Sequence, residues 1–251
     1  MIKSIVCFKW VADEEEIRSN FNPQSLQNAK YKISDNDRNA IEEAMSIKEQ
    51  LDGSVMAITV ASDRRCIKDA LSRGPEGIYY INAPEAIELE PSVTSSILAS
   101  ALKDIPYDLI FCGVGSNDFY AQQVGPELAE KLGIPCLTYV SELQVNEEKG
   151  EVIAKRRLNN EVEIVTAQLP LLITVLPDIN EARIPGLSDI LGAGQKTVID
   201  IDCRDLQGDF QPALHTTSIA ASNMERKCLK LSSDQQDLRK VVNELLRIVN
   251  H

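Results

Sequence analysis

Two histidines, His215 and the terminal His251, are all that the 251-residue sequence contains, so a histidine-rich metal site or a histidine-based catalytic triad has almost no material. Aromatic residues make up 5% of the chain and Trp10 is its one tryptophan, which leaves little for the stacking platforms that nucleic-acid binders use. The six cysteines, Cys7, Cys66, Cys112, Cys136, Cys203 and Cys228, show no C-x-x-C spacing, and several sit in apolar runs. That pattern suits free thiols in a reducing cytosol, not a disulfide framework. Positive charge is also scarce: 26 Lys and Arg face 38 Asp and Glu, for a net charge of -12. Such a chain repels phosphate backbones and anionic membrane surfaces, so nucleic acid is not an expected partner. No apolar run has membrane-spanning length, which argues against direct membrane insertion. The opening "MIKSIVCFKWVADEEE" lacks the pattern of a secretory signal or a transit peptide, and the expected location is cytoplasmic. Neither G-x-G-x-x-G nor G-x-x-x-x-G-K-[ST] occurs, so an ordinary nicotinamide enzyme or P-loop ATPase is not indicated.

What is present is a soluble, enzyme-sized composition with 43% hydrophobic residues, enough for a sizeable core. The first 140 residues alternate. Apolar runs at 2–8, 54–60, 77–83 and 107–113 read as buried strands. Between and after them, 37–51, 62–74, 91–105 and 122–133 carry helical periodicity. Strands that are apolar throughout, separated by helices, predict an α/β fold with a doubly wound, mostly parallel sheet covered on both faces. From 136 to 175 the pattern becomes alternating runs divided by "EEKG" and "LNNE", which predicts antiparallel hairpins ending in the buried strand "LLITV". Residues 1–176 are therefore expected to form the α/β nucleotide-binding domain. Residues 177–251 are expected to be an extended partner-binding arm with a closing helix over 232–249, because long stretches of weak periodicity are uncommon inside a compact domain.

In such sheets ligands sit at the carboxyl ends of strands beside helix N-termini. Candidate junctions are Cys7 to Trp10, Thr59 to Asp63, Cys112 to Gln123 and the 9–36 loop. The third is the richest. Gly113, Gly115 and Gly125 allow close backbone approach, Asp118 can accept from hydroxyls, and Gln122 and Gln123 offer donors and acceptors where a helix begins. Pro126 fixes that beginning near 122–126. Two readings stand level on these residues alone: a phosphate-binding turn, or a loop with solvated glutamines. Cys7 and Trp10 can equally be pocket walls or packing.

Five segments, in order, resemble the β subunit of electron transfer flavoproteins: "VCFKWV", "AIEEAMSIKE", "GVGSNDFYAQQVGPELAEKLGIP", "AKRRLNNEVEIVTAQLPLLIT" and "RIPGLSDILGAGQK". The resemblance covers essentially residues 1–200 and lies closest to the divergent bacterial, FixA-like branch. It implies a heterodimer with an α subunit that carries most of the FAD site, while this chain binds AMP or a second FAD. Carried over by position, the nucleotide would lie against Cys7, Ser34, Thr59, Val60, Ala61, Asp118, Gln122, Gln123, Val124 and Gly125. Leu187 falls at the partner-docking leucine, facing a dehydrogenase or other redox protein. The chain departs from the family at Ser34, at Asn159 and Asn160, and in "GAGQK" with its lone Lys196, which implies a different electron-donating partner. Electron transfer asks no acid, base or nucleophile of this chain, in keeping with its missing catalytic constellation. The competing expectation is an ATP-hydrolysing or adenylating enzyme of the related α/β nucleotide-binding superfamily. That chemistry needs a cation beside the phosphates, and the Cys112 to Gln123 junction holds neither Lys nor Arg.

Overall fold

The computed structural model describes residues 1–15, 29–83 and 90–208, with 210–212, 214, 217, 238–243 and 246 beyond them. The chain divides into a unit over Met1–Thr217 and another over Ser218–His251. Of the helix expected over 232–249, residues 238–243 and 246 are helical, and the rest lies outside the described residues.

In the first unit the elements run β1 (Lys3–Cys7), β2 (Trp10–Ala12), β3 (Tyr31–Ile33), α1 (Asp35–Leu51), β4 (Ser54–Ala61), α2 (Arg65–Ser72), β5 (Gly77–Asn82), α3 (Pro91–Leu102), β6 (Leu109–Gly113) and α4 (Val124–Leu132). They continue with β7 (Cys136–Asn146), β8 (Glu151–Leu158), β9 (Glu161–Gln168), β10 (Leu171–Val175), α5 (Leu187–Gly192) and β11 (Thr197–Asp202). Nine strands form one sheet in the order β11-β5-β4-β1-β6-β10-β7-β8-β9, and β2 pairs with β3 in a small antiparallel sheet. All neighbours from β11 to β7 are parallel, whereas β7, β8 and β9 form the antiparallel hairpins. The expected doubly wound α/β architecture is what the chain adopts.

Period-two alternation divides the sheet's side chains between two cores. Val6, Val55, Ala57, Leu109 and Phe111 pack with α1 and α2 through Ile41, Ala44, Cys66 and Leu71. Ile5, Cys7, Ile58, Val60, Ile110 and Cys112 pack with α3 and α4 through Ile97, Leu98 and Leu128. Helix boundaries follow local chemistry. Pro91 stands at the first helical position of α3, where Glu90 accepts from the Ser92 amide, and α4 stops at Gly133 in the left-handed region at φ 67°.

After β10 the chain crosses α1 and α2 to reach the far edge of the sheet. Asn180 exchanges hydrogen bonds with Asn39, Arg183 grips Glu42 and Glu49, and the Lys196 ammonium donates to the carbonyls of Leu71 and Gly74 at the end of α2. β11 then pairs with β5, Thr197 opposite Gly77. Part of the stretch expected to be an arm is thus an edge strand of the sheet.

Candidate functional site

The chain winds from β1 outward through β4 and β5, then returns across β1 to β6, so the winding direction reverses between β1 and β6. The carboxyl ends of two strands diverge at such a point and leave a crevice. A cleft that opens to solvent lies there. Three of the four candidate junctions converge on it: Cys7, Phe8 and Lys9 at the end of β1, Thr59 and Val60 at the end of β4, and Cys112 to Ser116, Phe119 and Ala121 to Gly125 from the end of β6 into α4. Pro91, Thr94 and Leu98 of α3 close the remaining side.

Of the residues placed by resemblance, Cys7, Thr59, Val60, Gln122, Gln123, Val124 and Gly125 line this cleft. Ala61, Ser34 and Asp118 do not. Ala61 follows Val60 and so points to the opposite core. Ser34 is buried and donates to Asn117 Oδ1 at 2.8 Å. Asp118 stands just behind the lining, its Oδ2 2.5 Å from the Lys9 ammonium. Leu187, at the start of α5, is 75% exposed beside Ile184 at 92%.

The polar wall is assembled by α1. Ser34, the residue that precedes the helix, makes no capping bond from its side chain. Asn117 of the β6–α4 loop replaces it, accepting from the Asp35 amide at 2.7 Å and donating to the Asp35 carboxylate. Asn36 donates to the Gly115 carbonyl, and buried Asp37 accepts from the amides of Lys9 at 2.8 Å and Gly113 at 3.0 Å. One carboxylate therefore ties together the ends of both strands that flank the reversal. Gly113 is required by this approach, since a Cβ there would meet Asp37 Oδ1 at 2.6 Å. Gly125 has a similar reason. Its Cβ would fall 2.6 Å from Thr174 Cγ2, so α4 can lie against β10 only without a side chain at that position.

The floor is apolar and uncharged. Cys7 and Cys112 sit at the ends of neighbouring strands, and the Cys112 thiol is held well above its ordinary pKa by its hydrogen bond with Cys7 and by burial. Thr59 already donates its hydroxyl to the Phe8 carbonyl at 2.7 Å, pinning the end of β1 to β4. On the opposite rim Gln122, at φ 60°, accepts from the Tyr139 hydroxyl at 3.1 Å, and exposed Gln123 leads into α4 without a capping bond. Pro126 has no N–H, so Val124 and Gly125 supply the free amides of that first turn.

Among the described residues, Lys9 is the single basic one in the lining. It reaches the β6–α4 junction from a different strand, where the local sequence offers no cation. Burial pushes the Asp118 carboxyl up, but the Lys9 charge and hydrogen bonds from Lys9, Ser116 and Phe119 outweigh it and hold Asp118 below the usual range. The Lys9 ammonium also lies 5.1 Å from the centroid of the Phe119 ring. Lys9, Asp37 and Phe119 belong to the site and were not singled out from sequence. Among the described residues no cluster of His, Cys, Asp or Glu is suited to a metal ion, and no helix is long and apolar enough to cross a membrane.

A doubly wound sheet with an apolar-floored, amide-rimmed cleft over its winding reversal defines an α/β protein of the Rossmann-like kind. Residues 25–206 match the electron transfer flavoprotein domain, and the chain belongs to that family. Its members are electron-transfer proteins that bind flavin and work with partner subunits and redox proteins.

Proposed function

We propose that this chain is the β-type subunit of an electron transfer flavoprotein of the FixA-like branch. It pairs with an α-type subunit that carries most of the FAD site, and its own cleft holds AMP or a second FAD. The observation that carries this reading is the meeting of Cys7, Thr59, Val60 and the 122–125 turn in one cleft of a chain belonging to this family.

The lining suits such a ligand. Its two halves differ in chemistry. Cys7, Val60, Leu98 and Cys112 offer an apolar bed for a ring, and the Val124 and Gly125 amides with Gln123 offer donors to a phosphate. FAD, when bound, supplies the reversible two-electron chemistry. This chain's part is to bind, orient and exclude water: Gln122 and Gln123 fix the polar end, Thr59 holds the floor in place, and Asp118 keeps Lys9 at the rim. Ser34 and Ala61 support the walls from behind.

The exposed Ile184 and Leu187 serve as the contact for a dehydrogenase or other redox protein. The stretch from 177 onward, whose β11 completes the sheet of the α/β domain, acts with them as the partner-binding part of a cytoplasmic heterodimer. A triphosphate-cleaving enzyme is less well supported, because Lys9, the one lining cation among the described residues, is already engaged by Asp118. The test is to co-express the chain with a candidate α-type subunit, denature the purified complex and separate the released nucleotides by chromatography. FAD with AMP, or two FADs, is expected per heterodimer. A colourless chain that forms no complex and turns over ATP alone would overturn the reading.

A further inference from the structure

We propose that Phe119 is the stacking wall of the cleft, the residue that makes it selective for ligands with a planar aromatic ring; this rests on the nucleotide reading above. Aromatic rings are scarce in this chain, with five Phe, six Tyr and one Trp, yet two consecutive ones, Phe119 and Tyr120, stand 47% and 52% exposed on the β6–α4 loop. Large rings left in solvent side by side mark a surface kept for contact. Phe119 is the one of the two that lines the cleft.

Its position is built. The Phe119 amide donates to Asp118 Oδ1 at 2.8 Å, Asp118 holds the Lys9 ammonium at 2.5 Å, and that ammonium lies over the Phe119 ring at 5.1 Å. One face of the ring is therefore engaged by a cation, and the residue as a whole stays 47% exposed at the cleft. Immediately afterwards the backbone takes the left-handed region at two non-glycine residues, Tyr120 at φ 48° and Gln122 at φ 60°. This turn lays the Tyr120 ring on Gly115, where a Cβ would sit 3.0 Å from it. Strain of this kind persists where the surrounding structure holds a loop in one working shape. A few aromatics cannot make a multi-base platform, but a single ring at the mouth of a small-molecule cleft is enough to select a base or an isoalloxazine.

The test uses the full chain with Phe119→Ala, Phe119→Leu and Phe119→Trp variants, titrated calorimetrically with AMP and with FAD. Affinity for whichever nucleotide the wild type binds should fall by about 5- to 100-fold in the Ala and Leu variants and be kept in the Trp variant, as expected for loss of one base–aromatic stack. AMP quenches an indole only by contact, so where AMP binds it should quench the new tryptophan of Phe119→Trp well beyond the Trp10 background of the wild type. Unchanged affinity in the Ala and Leu variants, or bound AMP that leaves the new indole unquenched, overturns the proposal while the nucleotide reading stands. Full nucleotide affinity with loss of the α-type subunit would make Phe119 a protein contact and also overturn it. A wild-type chain that binds neither AMP nor FAD refutes both.

Discussion

Replacing Asp37 with Asn should change how stability varies with pH near neutrality. Asp37 is 7% exposed, and among the described residues no ion pair reaches it. Its partners are the Lys9 and Gly113 amides, while the Lys9 ammonium is turned to Asp118. Burial, reinforced by the Asp118 charge, raises its pKa from 3.8 to about 7 against the pull of the two amides and the Lys9 charge. Above pH ~4 the unfolded chain has released this proton and the folded chain has not, so the folded state binds more protons and stability falls as pH rises from ~4 to ~7. At ~1.4 kcal/mol per unit, a shift of about three units removes ~4 kcal/mol by pH 8. The substituted amide stays neutral throughout. Its oxygen can serve one of the two N–H donors, and the other loses its acceptor, which costs about 1–3 kcal/mol at every pH. Relative to wild type, Asp37→Asn should therefore gain ~2.7 kcal/mol between pH 5 and 7, the last two of the three units, and little more by pH 8. Urea unfolding followed by far-UV circular dichroism at pH 5, 6, 7 and 8 gives this difference directly, because the other carboxylates are common to both proteins. A constant difference across the range, or one that shifts toward the wild type as pH rises, would refute the argument.

Gln123→Ala removes an exposed side chain that makes no capping bond, so the thermal midpoint of the nucleotide-free chain should hold while nucleotide content after purification falls. A lowered midpoint would show that Gln123 supports the fold instead. Gly125→Val forces a side chain against Thr174 and should destabilise the protein by ~1–3 kcal/mol through overpacking, ligand or no ligand. An unchanged denaturation midpoint would contradict the close approach of α4 to β10. Arg183→Ala breaks the contacts that hold the 179–185 segment to Glu42 and Glu49 on α1. With these groups partly solvated the loss should be ~1 kcal/mol or less and shrink in high salt, and limited proteolysis should cut that segment faster than in wild type. Equal cleavage rates would mean the ion pairs do not secure it.

β1, β4, β5, β6 and β10 were legible because each is a largely apolar run, and α1, α3 and α4 because their buried residues recur at helical spacing between recognisable ends. β11 was not, since "TVIDID" is an edge strand whose first four residues are exposed, leaving no hydrophobic contrast to read. β2 and β3, of three residues each, are too short to show a period. At the site, the strand ends and the 122–125 turn could be found locally, one junction at a time. Lys9 and Asp37 could not, because their significance is that a side chain from one segment meets the backbone or carboxylate of another. Gly125 was read as room for a ligand, and its packing against Thr174 supplies a second reason that only the juxtaposition of α4 and β10 reveals.

β11 also determines when this protein can finish folding. Its partner strand β5 is made early and remains an open edge until the chain has been extended past Asp202. The closing pair joins residues far apart in sequence, the kind of contact that forms slowly and leaves an edge free to meet other chains in the meantime. A nascent or truncated chain ending before Thr197 presents β5 as the sheet's edge, whereas with β11 in place that edge carries Asp200 and Asp202, charges that discourage the addition of another chain.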